Sequence, residues 1–297
     1  MIAEANSVSA ADPGRTIAFQ GAPGAYSDLA CRTSRPELST LPCRSFGDAF
    51  AAARDGLAAL AMIPIENSVA GRVADIHHLL PDSGLHIIGE HYQRVNHHLL
   101  ALPGACIEQL TQVHSHIHAL NQCRRLIREF GLEAVVRLDT AGAAAEIAEA
   151  GDLTQAVIAS DLAGDIYGLV SLRANIEDAK HNTTRFLIMA KQPVVPHPKS
   201  GPCMTSFVFR VRNVPAALYK ALGGFATNSV NMTKLESYLV GGRFNAAQFY
   251  AEVEGHPEHK NLTLALEELD FFSREVRILG VYPQHPYRWD SEAHERS

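Results

Sequence analysis

Four short runs of this chain hold residue types that could do chemistry together. The first, Gln20-Gly21-Ala22-Pro23-Gly24-Ala25-Tyr26-Ser27, lies between an apolar stretch and a helical pattern. A strand, a glycine turn and a helix start leave free backbone N–H groups and a positive dipole end at one spot, which suits an anion. Gly24 and Ser27 are its candidate contacts. The run lacks G-x-G-x-x-G and a P-loop lysine, which argues against a nucleotide, and it also reads as a plain tight turn. The second, Ile63-Pro64-Ile65-Glu66-Asn67-Ser68, turns polar where a strand ends, the place where ligands bind in parallel α/β sheets. Asn67 or Ser68 would equally serve as a helix cap. The third contains His114, Ser115, His116, His118 and Gln122. Three histidines at alternate positions raise a metal site, but the strand is expected to end near Ser115, and no carboxylate or cysteine cluster completes a set, so no metal is expected. Gln122, seven residues after Ser115, returns to the same helix face after two turns, so the pair could flank one ligand. The fourth is Asn182-Thr183-Thr184-Arg185-Phe186. Hydroxyls beside a guanidinium fit a carboxylate ligand with one proton-donating contact, or simply open a β-branched strand.

The elements that must position these runs follow from periodicity. Short apolar stretches at Thr16–Gln20, Ala59–Ile63, Leu85–Gly89 and His97–Leu102 read as strands, with helices near Ser27–Thr33, Phe46–Arg54 and Val69–Leu80. A second series gives strands Gln112–Ser115, Glu133–Leu138 and Gln155–Ala159, with helices Ile117–Phe130, Ala141–Ala150 and Ser160–Ile166. Such alternation predicts βαβ units with largely parallel sheets in two lobes around a cleft, with Arg185–Ala190 returning to the first sheet. Residues 192–202 hold four prolines and read as a stiff linker. Beyond it comes βαββαβ: strand Thr205–Val211, helix Val214–Phe225, strands Val230–Val240 and Arg243–Glu254 joined at Gly241-Gly242, helix Glu258–Phe272 and strand Glu275–Tyr282. That order is the α+β ferredoxin-like unit. The expected boundaries are 15–191 for the catalytic part, 192–202 for the linker and 203–283 for the second domain.

Bulk composition narrows the function. The chain has 297 residues, 46% hydrophobic and 20% charged, with net charge -6 and no basic block, which argues against nucleic acid as the partner. The opening Met1–Gly14 has no Lys and no apolar core, so it reads as a disordered leader rather than a signal peptide. No apolar run is long enough to span a membrane. Five scattered cysteines without C-x-x-C suit reduced thiols in a cytoplasm.

Taken in order, Pro64-Ile65-Glu66-Asn67-Ser68 with Gly71, Ser115-His116 with Gln122-Cys123, and Thr184-Arg185-Phe186 resemble the prephenate dehydratases, from about Thr16 to Tyr282. The C-terminal part resembles an ACT domain, an amino-acid-sensing module. The resemblance implies a periplasmic-binding-protein-like, two-lobed catalytic domain that turns prephenate into phenylpyruvate without cofactor or metal. It also implies feedback inhibition by L-phenylalanine and a homodimer or homotetramer. By this analogy Thr184 stands beside the leaving hydroxyl and Arg185 clamps a carboxylate. Ser115, Gln122, Asn67 and Ser68 give neutral contacts, the Gly21–Ser27 turn adds N–H groups, with Gly24 and Ser27 as contacts, and Glu66 and Phe186 orient. L-Phenylalanine would lie against Val214, Pro215, Ala216, Ala217, Leu218, Asn231, Met232, Glu236 and Ser237, although the usual Glu-Ser-Arg-Pro reads Glu236-Ser237-Tyr238-Leu239 here. Arogenate dehydratase and a non-catalytic aromatic-metabolite sensor share these features.

Overall fold

Apolar runs buried on both faces form the middle of the first sheet. The computed structural model describes residues 12–212, 214–240 and 243–289; most of the expected leader and the Gly241-Gly242 turn lie outside them. Strands β1 (Thr16–Gln20), β2 (Ser39–Cys43), β3 (Leu60–Asn67), β4 (Gly71–Arg72) and β5 (His86–Arg94) belong to this sheet, with helices α1 (Tyr26–Ser34), α2 (Phe46–Arg54) and α3 (Ala74–Leu79) between them. The second lobe runs β6 (His98–Ala101), β7 (Gln112–His116), α4 (Ile117–Gln122), α5 (Arg124–Glu129), β8 (Glu133–Arg137), α6 (Thr140–Ala150), β9 (Gln155–Ala159), α7 (Asp161–Tyr167) and β10 (Val170–Arg173). Then β11 (Thr183–Ala190) returns to the first sheet, whose order is β2-β1-β3-β11-β5; the second is β10-β6-β9-β7-β8.

The sheets are mixed rather than largely parallel. β1 pairs parallel with β2 and β3, and β7 with β8 and β9, but β11 runs antiparallel to both β3 and β5, and β6 antiparallel to β9 and β10. The cause is topological: the chain leaves the first sheet along β5 and re-enters along β11, so both crossings sit side by side at the hinge. There the Val95 N–H donates to the Asn182 carbonyl at 2.9 Å. Two expected helices are also shorter. Gly71, at φ +82°, turns the chain into β4, so the helix expected from Val69 starts at Ala74. The helix expected over Ile117–Phe130 breaks at Cys123, because the Asp178 carboxylate accepts from the Arg124 and Arg125 N–H groups and caps α5 separately.

No helix or strand occupies residues 191–202. His256 and His259 hold that segment by ring-nitrogen hydrogen bonds to the Pro196 and Pro198 carbonyls, 3.1 and 3.0 Å. Beyond it β12 (Cys203–Val211), α8 (Ala217–Thr227), β13 (Met232–Val240), β14 (Arg243–Glu254), α9 (Lys260–Phe272) and β15 (Ser273–Pro283) form a sheet ordered β13-β14-β12-β15. Its helices cover one face. The other face seats on the first sheet in one core, where Ile63, Ile87 and Leu187 pack with Val208, Tyr250 and Tyr282. Gly280 permits the close approach of β15, since a Cβ there would lie 2.7 Å from the Ile87 Cβ. Among the described residues, no helix is long and apolar enough to cross a membrane.

Candidate active site

Two adjacent strand pairs build the site. In the β3–β11 register Thr184 faces Asn67 and Arg185 faces Glu66. Neighbouring residues on a strand point to opposite faces, so one pair enters the cleft and the next points away from it. Pro64 is tolerated in β3 because the β1 pairing ends at Met62 and the β11 register shifts beside it. The strand therefore runs on to Asn67, past the body of the sheet.

The cleft has a volume of about 570 Å³, within the usual range of roughly 300–1,000 Å³ for small-molecule sites. Tyr26, Ser27, Asn67 and Arg72 line it from the first lobe, His116, Gln122 and Asp139 from the second, and His97 and Thr184 from the hinge. Among the described lining residues, Arg72 alone carries a permanent positive charge. Burial, with His118 adding to it, lowers the His116 pKa.

A chain of hydrogen bonds crosses the cleft, and its ends fix every amide. Asn67 Oδ1 accepts from the Val69 and Ala70 N–H groups at 2.9 and 2.8 Å, so its Nδ2 must face inward. That amide donates to Asn182 Oδ1 at 2.8 Å and to Thr184 Oγ1 at 2.9 Å. With its oxygen so used, Asn182 donates through Nδ2 to Gln122 Oε1 at 2.8 Å. His97 Nε2, 2.9 Å from the same oxygen, can only donate, leaving Nδ1 to face the Tyr26 hydroxyl at 2.9 Å. Burial lowers the His97 pKa; the Tyr26 hydroxyl has one proton and faces two acceptors, His97 Nδ1 and the Asn96 carbonyl at 2.7 Å. Two groups emerge poised: the Thr184 hydroxyl accepts from Asn67 and keeps its own proton to give, and the Gln122 amide N–H₂ turns toward the cleft.

Comparison with known proteins identifies the family. The prephenate dehydratase family model matches residues 17–194, which contain both lobes and the whole hydrogen-bond chain. The chain belongs to the prephenate dehydratase family. It is thus a lyase. Among its relatives is the bifunctional N-acyl-homoserine lactone acylase/prephenate dehydratase of Komagataeibacter europaeus, 55% identical, covering 92% of this chain and 98% of that protein. Arogenate dehydratase/prephenate dehydratase 1 of Arabidopsis thaliana is 39% identical over 90% of this chain and 71% of its own length. The prephenate dehydratase of Arthrobacter aurescens, solved in complex with L-Phe, superposes with a TM-score of 0.82 at 27% identity, covering 94% of this chain and 97% of that one.

In this prephenate dehydratase family member the expected contacts fall into two groups. Thr184, Asn67, Gln122 and Ser27 line the cleft. Arg185, Ser115, Ser68 and Gly24 do not. The Arg185 guanidinium, 4% exposed, points toward the C-terminal sheet, binding Glu66 of β3, Glu90 of β5 and Glu252 of β14 at 2.8–2.9 Å and donating to the Tyr282 hydroxyl of β15 at 3.2 Å. Ser115 is buried and donates to the Ile158 carbonyl at 2.6 Å, because β7 runs one residue further than expected and His116 caps α4 instead. Ser68 donates to the His181 carbonyl at 2.5 Å and accepts from the Thr183 N–H at 2.9 Å, fastening the hinge. Gly24 joins the lobes: its N–H donates to Asp28 at 2.8 Å, its carbonyl accepts from Ser160 at 2.5 Å, and a Cβ there would lie 2.8 Å from Ala163 Cα. Glu66 pairs with Arg185 and Lys234. Burial would raise its pKa, but those two cations outweigh burial and hold it at about 2. Phe186 is core, packed in the cluster between the lobes.

The residues expected to meet L-phenylalanine spread over two regions. Val214, Pro215 and Ala216 precede α8, so the helix expected from Val214 starts at Ala217 after Ala216 caps it at φ +59°, and Ala217 and Leu218 form its first residues. Asn231 is exposed and Met232 packs on the helix-side core. Glu236 and Ser237 are strand neighbours and point oppositely; the Glu236 carboxylate turns to the catalytic part and pairs with Arg72 at 3.0 Å, so the two do not share one ligand face. Sequence reasoning missed His97, Asn182 and Arg72. Asn182 was visible beside Thr184 as an amide with no local partner. His97 and Arg72 gave no signal, since their partners are distant in sequence.

Proposed function

We propose that this protein eliminates carbon dioxide and water from prephenate to give phenylpyruvate, on the route to L-phenylalanine. The observation carrying this reading is the fixed Asn67 amide, which leaves the Thr184 proton free for a departing hydroxyl. The ring carboxylate leaves as carbon dioxide, and its C–C electron pair enters the ring. The C–O bond breaks, and hydroxide departs as water with one proton from solvent. The dianion plus that proton gives the phenylpyruvate anion, carbon dioxide and water. Restored aromaticity drives the step, so the chemistry needs no cofactor. A Thr hydroxyl is too weak an acid to give its proton away fully; its hydrogen bond strengthens as oxygen gains charge, the kind of donor typically worth about 10²–10³ in rate. Arg72 takes the carboxylate role expected of Arg185, with the Gln122 amide and the Ser27 turn as neutral donors.

The C-terminal unit is read as an ACT-type effector domain binding L-phenylalanine between two copies of the chain. Its βαββαβ order and the L-Phe complex of the Arthrobacter relative support this. Ultraviolet detection of phenylpyruvate from prephenate, with and without L-phenylalanine, tests both parts. Decay no faster than in buffer would remove the enzymatic reading. Release of L-phenylalanine from arogenate, read by chromatography, addresses the second substrate, which the name of the Arabidopsis relative includes.

The Komagataeibacter relative also favours an acylase reading. Ser171, His98 and Asp161 lie close together, but both partners approach the same nitrogen, His98 Nδ1, at 2.9 and 3.5 Å. That geometry cannot pass a proton from serine through the ring. Release of free homoserine lactone from an N-acyl-homoserine lactone would favour a different nucleophile.

A further inference from the structure

Four charges join the C-terminal sheet to the hairpin that carries the cleft. On the hairpin, Glu66 of β3 pairs in register with Arg72 of β4. Opposite them, Lys234 and Glu236 stand two residues apart on β13 and share one face. The signs alternate around the square. The Lys234 ammonium bonds the Glu66 carboxylate, Arg72 Nη1 lies 3.0 Å from Glu236 Oε2, and Lys234 Nζ lies 3.8 Å from Glu236 Oε1. The Lys234 side chain is only 10% exposed, so this is not a solvated ion pair of negligible worth. The hairpin it grips is the site itself: Asn67 follows Glu66 and orients Thr184, and Arg72 lines the cleft.

We infer that Lys234 and Glu236 form a latch through which the C-terminal unit positions this hairpin, setting both the Asn67–Thr184 hydrogen bond and the place of Arg72. The inference rests on the reading of Thr184 as the donor to substrate. Neither latch residue touches the cleft contents; both are positioning residues. A slip of β13 by one residue turns both charges to the opposite face, so the latch is either closed or broken rather than graded. An effector that displaces β13 thereby reaches the donor without entering the cleft.

Steady-state kinetics on the full chain test this with Lys234→Met, Glu236→Gln, the double variant and Lys234→Arg. Lys234→Met leaves Glu66 beside Glu236, and kcat is expected to fall by about tenfold or more with KM within about twofold. Lys234→Arg keeps the cation and restores most of kcat. The double variant leaves Glu66 and Arg72 to pair with each other, so its kcat exceeds that of Lys234→Met. Should Lys234→Met fail to fold by circular dichroism, the isosteric Glu236→Gln carries the test, with KM altered about threefold or more through Arg72. Lys234→Met and Glu236→Gln both within about twofold of the unaltered chain in kcat and KM would overturn the latch alone. An unaltered chain inert toward prephenate would overturn the functional reading, and the latch with it.

Discussion

Replacing Arg185 by Met separates two roles for the guanidinium, a substrate clamp and a tie between the catalytic part and the C-terminal sheet. Among the described residues, its surroundings contain three cations, Arg185, Arg288 and Lys234, and three carboxylates, Glu66, Glu90 and Glu252. The Glu90 and Glu252 side chains are 0% exposed. Without Arg185 these described groups carry one more negative charge, and Glu90 and Glu252 keep theirs away from water. Removing one partner of a buried pair costs about 3–5 kcal/mol, because the other charge stays behind. At roughly 2–4 °C per kcal/mol for domains of this size class, the melting temperature should fall by on the order of 10 °C. The sign with pH is also fixed. Burial would raise the Glu66 pKa, but Arg185 and Lys234 hold it at about 2. Its ionised form therefore adds stability above the unfolded value near 4.5 that is lost as pH falls toward 2. The variant lacks part of that stability, so the gap between the two proteins should narrow as pH drops through this window. Thermal melts by circular dichroism across pH, with KM for prephenate on the folded fraction, read both effects. An unchanged melting temperature with KM raised about tenfold, the pattern of lost ground-state binding, would return Arg185 to the cleft and refute the assignment.

Three further outcomes follow. Thr184→Val keeps the β-branched shape but removes the hydroxyl, and kcat should fall by about 10²–10³ with KM nearly unchanged; near-normal turnover would exclude Thr184. Gly24→Ala sets a Cβ 2.8 Å from Ala163 Cα at φ +87°, so the lobes must part. The expected result is a destabilisation above about 1 kcal/mol in urea with reduced kcat, and a variant as stable as the original would show that the lobe contact yields freely. His77, 2% exposed beside Tyr238 and Tyr250, has its pKa lowered by burial to about 4; Lys234 and Arg72 add to the lowering, and Glu236 and Glu66 oppose it. The unfolded chain takes up that proton near 6.5, so stability falls as pH drops from 6.5 to 4, by about 3 kcal/mol in all. His77→Phe should flatten that slope in urea titrations at pH 7 and pH 5; an unchanged slope would show that His77 ionises freely.

The four chemical runs, the strand-and-helix alternation and the second βαββαβ unit were legible in the residues, because glycine, proline and period-2 or period-3.6 patterns act locally. Local signals also placed Thr184, Asn67 and Gln122 where strands and helices end. What each side chain faces was not legible. Register and alternation, fixed by which strands meet, sent Thr184 into the cleft and its neighbour Arg185 toward the other sheet, one residue apart and on opposite sides. Because β7 runs on through His116, Ser115 sits inside the strand and bonds the Ile158 carbonyl instead of standing at the helix cap. The mixed sheets arose because the chain leaves and re-enters the first lobe at one hinge, a long-range event that no window of sequence contains. Tertiary structure also brought Glu66, Arg72, Lys234 and Glu236 together across more than 160 residues, as the Arg72–Glu236 pair does. Charges show their type in a sequence, but their energy depends on distance and burial, and those exist only once the chain has folded.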